Sequence, residues 1–422
     1  MKPKEYYPAM LDIKFIRQNA DLVKKNNASR RVEIDIDRLL SLDDERREIM
    51  QKAEGLRALR NQKSKGKPSE EEILKMRGVG NEIVRTEEEL KNTEAEYRRL
   101  MLKIPNLTHP DAPIGGGDDF KILETVGEVS KFDFKPKDHE ELALKLDLLD
   151  FERGAKVAGN KFYFVKNDLV RLNQALINYG IDVVTKHGFK LLETPDLAKD
   201  EILEGIGFNP RGPESQVYSI ENTDLSLIGT AEITVGGYHA NEILDLSAGS
   251  KKYIALSHCF RTEAGAYGRE SKGLYRVHQF TKLEMFVFCK PEEGEKIHQE
   301  ILDIEKEIID GLELPYRVID IASGDLGGSA YRKYDIEAWM VMRNGYGEVT
   351  STSNCTDYQS RRLNIRYRKG DNETAFVHTL NGTALTTSRL PIAILENYQT
   401  EKGTMKIPKA LQKYIGGQGE IK

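Results

Sequence analysis

A seven-residue spacing of apolar side chains between residues 36 and 104 constrains the fold more than any other feature of the sequence. Such a sustained repeat with charged flanks is typical of a coiled-coil seam. Gly66-Lys67-Pro68 interrupts the repeat, and Ser69 with Glu72 three residues later forms the pattern of a capping box. We therefore predict two long helices in an antiparallel hairpin, an arm about 45–55 Å long. The apolar positions are Leu42, Ile49, Leu56, Met76, Ile83, Leu90, Tyr97 and Ile104.

The expected tip of this arm, residues 57–77, is basic, with seven Lys or Arg residues against three acidic ones. A charge run of this kind is most often a solvated face of a coiled coil. The alternative is an arm that carries cations to a phosphate backbone. The arm alone leaves both interpretations open. The basic residues are Arg57, Arg60, Lys63, Lys65, Lys67, Lys75 and Arg77.

The composition indicates a soluble protein, since 39% of the 422 residues are hydrophobic and 31% are charged. The net charge is -5, so a nucleic-acid partner would have to bind a local basic patch. Cys259, Cys289 and Cys355 lie far apart, which argues against a thiolate zinc site or a disulfide framework. No apolar run approaches the ~20 residues of a membrane helix, and no signal-peptide core opens the sequence. We expect a cytoplasmic protein.

A stretch rich in Pro and Gly, residues 105–117, is the expected boundary between two domains. We predict an N-terminal domain over residues 1–110, with the arm at about 36–104, and a second domain over 118–422. Neighbouring strands of the second domain are joined by short loops, which favours an α+β fold: a mainly antiparallel sheet flanked by helices. The expected helices lie at about 167–187 and 292–311, and the expected strands at 253–259, 275–288 and 316–321.

The segment FRTEAGAYGRESKGLYRVHQFTKLEMF, residues 260–286, is unusually charged for two strands joined by a loop. Residues of the same parity share one face of a strand, so Phe280, Lys282 and Glu284 are expected to point the same way. Cross-strand ion pairs would explain a single Arg and Glu. The whole set instead indicates a face that binds a charged ligand, and Arg261 is suited to hold a phosphate or carboxylate. The opposite face, suited to a core, carries Tyr275, Val277, Gln279, Thr281, Leu283 and Met285.

This segment resembles motif 2 of the seryl-tRNA synthetases, a family of subclass IIa within the class II aminoacyl-tRNA synthetases. The arm is similar to the tRNA-binding coiled coil of that family, and the resemblance covers nearly the whole chain. Further stretches agree in order: Gly188-Phe189…Thr194-Pro195 with motif 1, Thr230-Ala231-Glu232 with the serine-binding TAE, Glu348-Val349-Thr350-Ser351 with the nucleotide and magnesium strand, and Asn381-Gly382-Thr383…Arg389 with motif 3.

The resemblance implies an ATP-dependent ligase that activates L-serine to seryl-adenylate and transfers the seryl group to tRNA(Ser), and to tRNA(Sec) where that is present. Arg261, Glu263 and Arg389 would be its catalytic residues. It also implies a homodimer, because motif 1 lies at the dimer interface of the family. The residues implied for serine binding are Thr230, Ala231, Glu232, Arg261, Glu284, Asn381 and Thr383.

The same resemblance assigns an ATP site, a Mg²⁺ site and tRNA contacts. Glu348 and Ser351 would hold the magnesium ion. Thr350 stands where the family often has Ser, which leaves the details of nucleotide affinity open. The residues implied for ATP are Arg261, Thr262, Glu263, Val277, Phe280, Glu348, Val349, Thr350, Ser351 and Arg389; those implied for tRNA are Arg57, Arg60, Lys63, Lys65 and Lys67.

Two alternatives come from different functional classes. A catalytically silent paralogue would act as an RNA-binding protein. Its motif residues would be degenerate, whereas the motif residues of this sequence match the family. An amino-acid:carrier-protein ligase would use the same core without the long arm, which this chain has.

Overall fold

The structure, a computed structural model, describes residues 11–63, 69–209, 216–264, 272–370 and 373–422. The chain forms two compact units, Met1–Leu107 and Thr108–Lys422. The end of the Pro- and Gly-rich stretch belongs to the second unit, where the Ser323 N–H donates to the Pro113 carbonyl over 2.8 Å.

The N-terminal unit contains the predicted helical hairpin. The Ser69 hydroxyl accepts from the Glu72 N–H and the Glu72 carboxylate accepts from the Ser69 N–H, so the predicted capping box is confirmed. All eight apolar repeat positions are buried or half-buried, as a coiled-coil seam requires. The helices are α1 (Ile13–Gln18), α2 (Ala20–Ser29), α3 (Ile36–Lys63) and α4 (Glu70–Lys103).

Ion pairs between α3 and α4 follow the antiparallel register. Arg38 contacts Glu96 at 3.0 Å near the base of the arm, and Lys52 contacts Glu82 at 3.1 Å farther out. These exposed pairs contribute little to the free energy of unfolding. At the base, the fully buried Asp43 carboxylate of α3 contacts Arg17 of α1 at 3.0 Å and, within its own helix, Arg46 at 3.0 Å and Arg47 at 2.6 Å.

The second unit is built on an eight-stranded sheet within the described residues, which confirms the predicted α+β fold. Its order is β1-β10-β11-β12-β15-β9-β8-β4, antiparallel except for the β8–β4 pair. These strands are β1 (Lys121–Val126), β4 (Lys190–Glu193), β8 (Lys251–Phe260), β9 (Gln279–Cys289), β10 (Tyr316–Asp320), β11 (Arg332–Met340), β12 (Gly345–Thr356) and β15 (His378–Thr386).

Short strands and helices surround this sheet. The short strands are β2 (Leu149–Asp150), β3 (Phe164–Val165), β5 (Leu197–Lys199), β6 (Leu225–Leu227), β7 (Ile243–Leu244), β13 (Arg366–Arg368), β14 (Thr374–Phe376), β16 (Met405–Lys406) and β17 (Glu420–Ile421). The helices are α5 (His139–Lys145), α6 (Phe151–Ala158), α7 (Asn167–Lys186), α8 (Asp200–Ile206), α9 (Ala231–Gly237), α10 (Gly294–Gly311), α11 (Tyr358–Arg362), α12 (Arg389–Asn397) and α13 (Lys409–Gln412).

Strand β9 separates two hydrophobic clusters. Its odd-numbered residues Leu283 and Met285 belong to a cluster with helices α7, α10 and α12, whereas Phe286 and Phe288 belong to a second cluster with α8 and α9. Alternation along a strand places successive side chains on opposite faces of the sheet. The large apolar area buried on both faces makes β9 a rigid support for the polar residues at its beginning.

The predicted start of β9 is wrong by four residues, because the strand begins at Gln279 and not at position 275. The ladder with β8 ends at the Phe260–Gln279 pair. Beyond it the His278 N–H donates to the Lys161 carbonyl over 3.4 Å, so the backbone leaves the sheet. Tyr275, expected on the core face, packs against the main hydrophobic cluster and also lines a cavity.

No helix in the described part of the chain combines the length and the apolar character needed to cross a membrane.

Candidate active site

A cavity of about 310 Å³ opens where β8, β9, β11, β12 and β15 meet the N-termini of α9 and α12. It brings together side chains separated by up to 181 positions in the sequence, from Phe208 to Arg389. The predicted residues that line it are Thr230, Glu232, Arg261, Glu263, Val277, Phe280, Glu284, Glu348, Val349, Thr350, Ser351, Asn381, Thr383 and Arg389.

Glu232 is held at the start of α9 by groups from distant elements. Thr230 caps this helix, and its hydroxyl oxygen accepts the Glu232 N–H over 3.2 Å. The Glu232 carboxylate accepts from the Gln359 amide over 2.7 Å and from the Asn381 amide over 3.0 Å. Burial and the nearby carboxylate of Glu284 raise the pKa of Glu232 to about 7. Its charge is therefore sensitive to pH in the neutral range.

Glu284 lies deeper in the same cavity, with only 1% of its surface exposed. The Lys282 ammonium nitrogen is 2.5 Å from Glu284 Oε2 and 3.1 Å from the hydroxyl oxygen of Thr230. Thr383 lies opposite Glu284 in the pairing of β15 with β9. Burial raises the pKa of Glu284, and the charge of Lys282 opposes this rise.

Arg261 and Glu263 follow the end of β8. The Arg261 guanidinium lies 5.2 Å from the centroid of the Phe280 ring, and its Nε donates to the Gly229 carbonyl over 3.3 Å. Glu263 has a φ of +50°, which turns the backbone sharply, and its carboxylate contacts the Arg276 guanidinium at 3.2 Å. The Arg261 guanidinium packs against the Phe280 ring, and the Arg276 guanidinium contacts the Glu263 carboxylate. These two contacts hold Arg261 and Glu263 at the cavity wall.

Arg389, the first residue of α12, contacts Glu348 on β12. Its Nη1 lies 2.8 Å from Glu348 Oε2, and its guanidinium is 4.8 Å from the centroid of the Tyr275 ring. The Glu348 side chain is 41% exposed. Burial raises the pKa of Glu348, but the charges of Arg389 and Lys333 outweigh it and lower that pKa to about 2. The Glu348 carboxylate is therefore ionised at neutral pH.

Lys333 of β11 also lines this part of the cavity, and Asp335 lies beside it on the same strand. The Lys333 ammonium is 3.5 Å from Asp335 Oδ2, and Asp335 pairs with Ser351 of β12. Burial raises the pKa of Asp335 to about 7, although Lys333 lowers it.

Two residues of the predicted sites lie outside the cavity lining. Ala231 is fully buried in the first turn of α9, behind Thr230 and Glu232. The Thr262 N–H donates to the Gln216 carbonyl over 3.1 Å. Contacts of these two residues with serine and ATP stay predictions.

The predicted tRNA residues are described in part. Arg57 and Arg60 are exposed on α3, and the Arg57 guanidinium contacts Glu87 at 2.7 Å. An exposed pair of this kind leaves the cation available to a phosphate at little cost. The Lys63 side chain, Lys65 and Lys67 lie outside the described residues.

Comparison with known proteins gives the family. Residues 10–108 match the family of the seryl-tRNA synthetase N-terminal domain, and residues 217–398 match the tRNA synthetase class II core domain (G, H, P, S and T). A serine--tRNA ligase from Treponema denticola is 53% identical over 417 residues, which cover 96% of this chain and 99% of that protein. The chain belongs to the seryl-tRNA synthetase family.

Other relatives of this family are similar along their whole length. A serine--tRNA ligase from Rubrobacter xylanophilus is 51% identical over 418 residues, covering 96% of this chain and 98% of that protein. The crystal structure of seryl-tRNA synthetase from Pyrococcus horikoshii complexed with ATP has a TM-score of 0.86 at 39% identity, covering 98% of this chain and 99% of that one. The cytoplasmic serine-tRNA ligase from Naegleria fowleri in complex with AMP has a TM-score of 0.84 at 33% identity, covering 99% of both chains.

Several residues that shape the site were not predicted from the sequence. Lys282 shares the parity of Phe280 and Glu284, so strand alternation was the signal for it. Lys333 and Gln359 carried no such signal, because their positions against Asp335 and Glu232 depend on how distant elements pack. Tyr275 and Arg276 also line the cavity, where the strand prediction was wrong.

Proposed function

We propose that this protein activates L-serine with ATP to seryl-adenylate and transfers the seryl group to the 3′ end of tRNA(Ser), and of tRNA(Sec) where that is present. Membership of the seryl-tRNA synthetase family supports serine activation and tRNA charging. ATP as the second substrate is supported by the relatives solved with ATP and AMP. A cytoplasmic location is part of the same proposal.

The observation that carries the residue assignment is the shared cavity. Two acids that suit an amino acid, the half-buried Glu232 and the buried Glu284, line the same 310 Å³ space as Arg261 and Arg389, which suit phosphates. Ligands with an ammonium, a hydroxyl and phosphates can thus lie next to one another in one site. That juxtaposition is what adenylate formation needs.

Each part of serine has proposed contacts. Glu232 and Thr230 receive the ammonium group, and Glu284 and Thr383 receive the hydroxyl. Arg261 contacts both the serine carboxylate and the α-phosphate, which aligns the two reacting groups. Ala231 completes the serine site with its backbone. Asn381 contributes through its side-chain amide, which donates to Glu232 and holds it in place.

The chemistry proceeds in two displacements. A serine carboxylate oxygen attacks the α-phosphorus of ATP and pyrophosphate leaves. A hydroxyl of the terminal ribose of tRNA then attacks the carbonyl carbon of the adenylate, and AMP leaves. The carboxylate is already ionised at neutral pH, so the first step needs no general base. Alignment and neutralisation of phosphate charge by Arg261 and Arg389 supply the catalysis.

In this proposal the nucleotide is held by stacking on both faces of adenine and by a hydrogen bond from its amino group. Phe280 stacks on one face of adenine and the Arg389 guanidinium covers the other, while Glu263 accepts from the adenine amino group. Arg276 contacts the Glu263 carboxylate and keeps it in place. The remaining proposed ATP contacts are Thr262, Val277, Val349, Thr350 and Ser351.

The residues present fit a magnesium ion, which would neutralise phosphate charge when bound. Glu348 offers an ionised carboxylate in the cavity wall. Ser351 offers a hydroxyl oxygen on the same strand, where it lines the cavity together with Val349. In the described residues there is no cluster of three or more His, Cys, Asp or Glu suited to a metal. Magnesium usually keeps waters and substrate phosphates as ligands, so one or two protein oxygens suffice.

Binding of tRNA is assigned to the basic tip of the arm, Arg57, Arg60, Lys63, Lys65 and Lys67. The observation that supports this is the exposure of Arg57 and Arg60 on a long helical arm. A homodimer is proposed from the motif 1 segment.

Amino-acid-dependent exchange of pyrophosphate into ATP tests the function, with all twenty amino acids and no tRNA. We expect exchange with serine alone. Exchange with alanine or glycine would favour a carrier-protein ligase, and no exchange would favour the silent paralogue. Either result contradicts the proposal.

Replacing Glu284 tests the serine hydroxyl contact. A buried site built to bind a hydroxyl rejects an analogue without it by roughly 10⁴–10⁵, because its own polar groups go unpaired. Glu284→Gln should therefore lower kcat/KM for serine by roughly 10²-fold or more and leave KM for ATP within a factor of about two. Serine activation that survives Glu284→Gln unchanged would remove Glu284 from the pocket.

A further inference from the structure

The Lys282 ammonium group lies between two side chains that the proposed function assigns to serine. It contacts Glu284 Oε2 at 2.5 Å and the Thr230 hydroxyl oxygen at 3.1 Å. The Lys282 side chain is 9% exposed and that of Glu284 is 1% exposed. The two charges therefore interact in a nearly dry environment, where neither is screened by water as a surface pair would be.

Burial makes it difficult to keep the Glu284 carboxylate ionised, because it raises the pKa of this group. Glu232 at the start of α9 and the fully buried Glu305 on α10 lie close enough for the charge of Glu284 to raise the pKa of each. Favourable charges come from Lys282 on the same strand and from Arg261 after β8. The titratable and charged groups that face Glu284 are Glu232, Cys259, Arg261, Lys282 and Glu305.

We infer that Lys282 is a specificity-determining positioning residue, whose ammonium keeps Glu284 ionised so that the pocket selects an amino acid with a hydroxyl to donate. An ionised carboxylate only accepts hydrogen bonds, whereas a protonated one carries a donor of its own. The inference rests on the proposed function, since it concerns how the same pocket recognises serine. It assigns Lys282 a role that the motif residues alone do not cover.

Removing the charge of Lys282 leaves burial to act on Glu284, with Arg261 as the remaining cation that opposes it. Burial raises the pKa of this carboxyl, and Lys282 opposes that rise more strongly than the other groups do. In Lys282→Met the pKa of the carboxyl therefore rises further, which favours its protonated form. It then offers the pocket the same mixture of donor and acceptor as the amide in Glu284→Gln.

The test measures kcat/KM for serine in pyrophosphate exchange at saturating ATP between pH 6 and pH 8.5. Lys282→Met should lose at least about tenfold at pH 7, and regain roughly tenfold per pH unit as the carboxyl ionises. Glu284→Gln should lose activity at every pH, and its profile should show only the rise near neutral pH that comes from Glu232. Lys282→Arg, which retains the charge, should keep the midpoint of the wild-type profile.

The double variant Lys282→Met/Glu284→Gln separates this role from an effect on Glu232. If Lys282 acts through Glu284, its removal shifts no midpoint in the Glu284→Gln background, because interacting residues are not additive. A shift that persists in that background, or a Lys282→Met profile with the wild-type midpoint, would overturn the inference. Serine-dependent exchange by the wild type is measured in the same assay, and its absence would contradict the proposed function instead.

Lys252 provides a matched control. It lies on the neighbouring strand β8, outside the cavity, and contacts Glu300 at 2.5 Å. Lys252→Met thus removes a strand lysine and its ion pair without touching Glu284, and should retain the wild-type profile. If Lys282→Met does not fold, Lys282→Gln removes the charge with a polar side chain in its place, and the same midpoint shift is expected.

Discussion

At the scale of single residues, the charge of Glu232 is the property of the site that an experiment can test most directly. Its carboxylate accepts two amide hydrogen bonds, but partial burial and a second acid nearby raise its pKa to about 7. In the proposed function this carboxylate receives the ammonium group of serine, which only its ionised form attracts. We therefore expect that a proton must leave Glu232 before serine binds well in the free protein.

We predict that kcat/KM for serine rises with pH through about 7, by roughly tenfold per unit below that value. The profile of kcat/KM reports the free protein, in which Glu232 has no ammonium beside it. Glu232→Gln keeps an acceptor for Gln359 and Asn381 but has no charge to lose. It should bind serine weakly and lack the rise near pH 7; a rise unchanged in this variant would assign the titration to another group.

At the scale of elements, the helical arm and the sheet follow from different kinds of information. The arm is specified by contacts that repeat every seven residues between α3 and α4. Strand β9 was predicted with the correct alternation from Phe280 onward, but its first residues were misplaced. There the ladder ends because the chain turns to place Tyr275 and Arg276 at the cavity, and a local pattern contains no information about that turn.

Shortening the arm tests its proposed role. Lys52 contacts Glu82 across the hairpin, so the chain ends left by deleting residues 52–79 are neighbours and a short Gly-Ser-Gly link can join them. We predict that serine-dependent exchange stays within a factor of about two while tRNA charging falls by roughly 10²-fold or more, since phosphate contacts supply much of nucleic-acid affinity.

The deletion also has an internal control. Wild-type charging should weaken with added salt and the residual charging of the shortened protein should not, because cations at the tip release counterions on binding. Charging at the wild-type rate by the shortened protein would refute the role of the arm.

At the scale of the whole molecule, the motif 1 segment predicts self-association. It begins just after α7 and contains β4, an edge strand of the sheet with Leu191 49% exposed. An unpaired edge with an exposed apolar side chain favours association. We predict a particle of twice 47.9 kDa by light scattering at micromolar concentration.

Leu191→Lys provides the matched test of this dimer. A charge on the edge strand should raise the dimer dissociation constant, by roughly tenfold or more. Leu197→Lys makes the same substitution at another partly exposed leucine, 38% exposed on β5, and should leave association unchanged. A monomeric wild-type protein would contradict the prediction.

The sequence by itself determined the arm, its cap at Ser69, the antiparallel α+β class and most side chains of the cavity. The arm follows from a repeat whose contacts recur along neighbouring turns, and the cavity residues follow from motifs with a fixed spacing. Only the tertiary structure brought Gln359 and Asn381 to Glu232, and placed Lys282 between Glu284 and Thr230. Those contacts join elements far apart in the chain, and the charge state of the acids depends on burial, which no local pattern specifies.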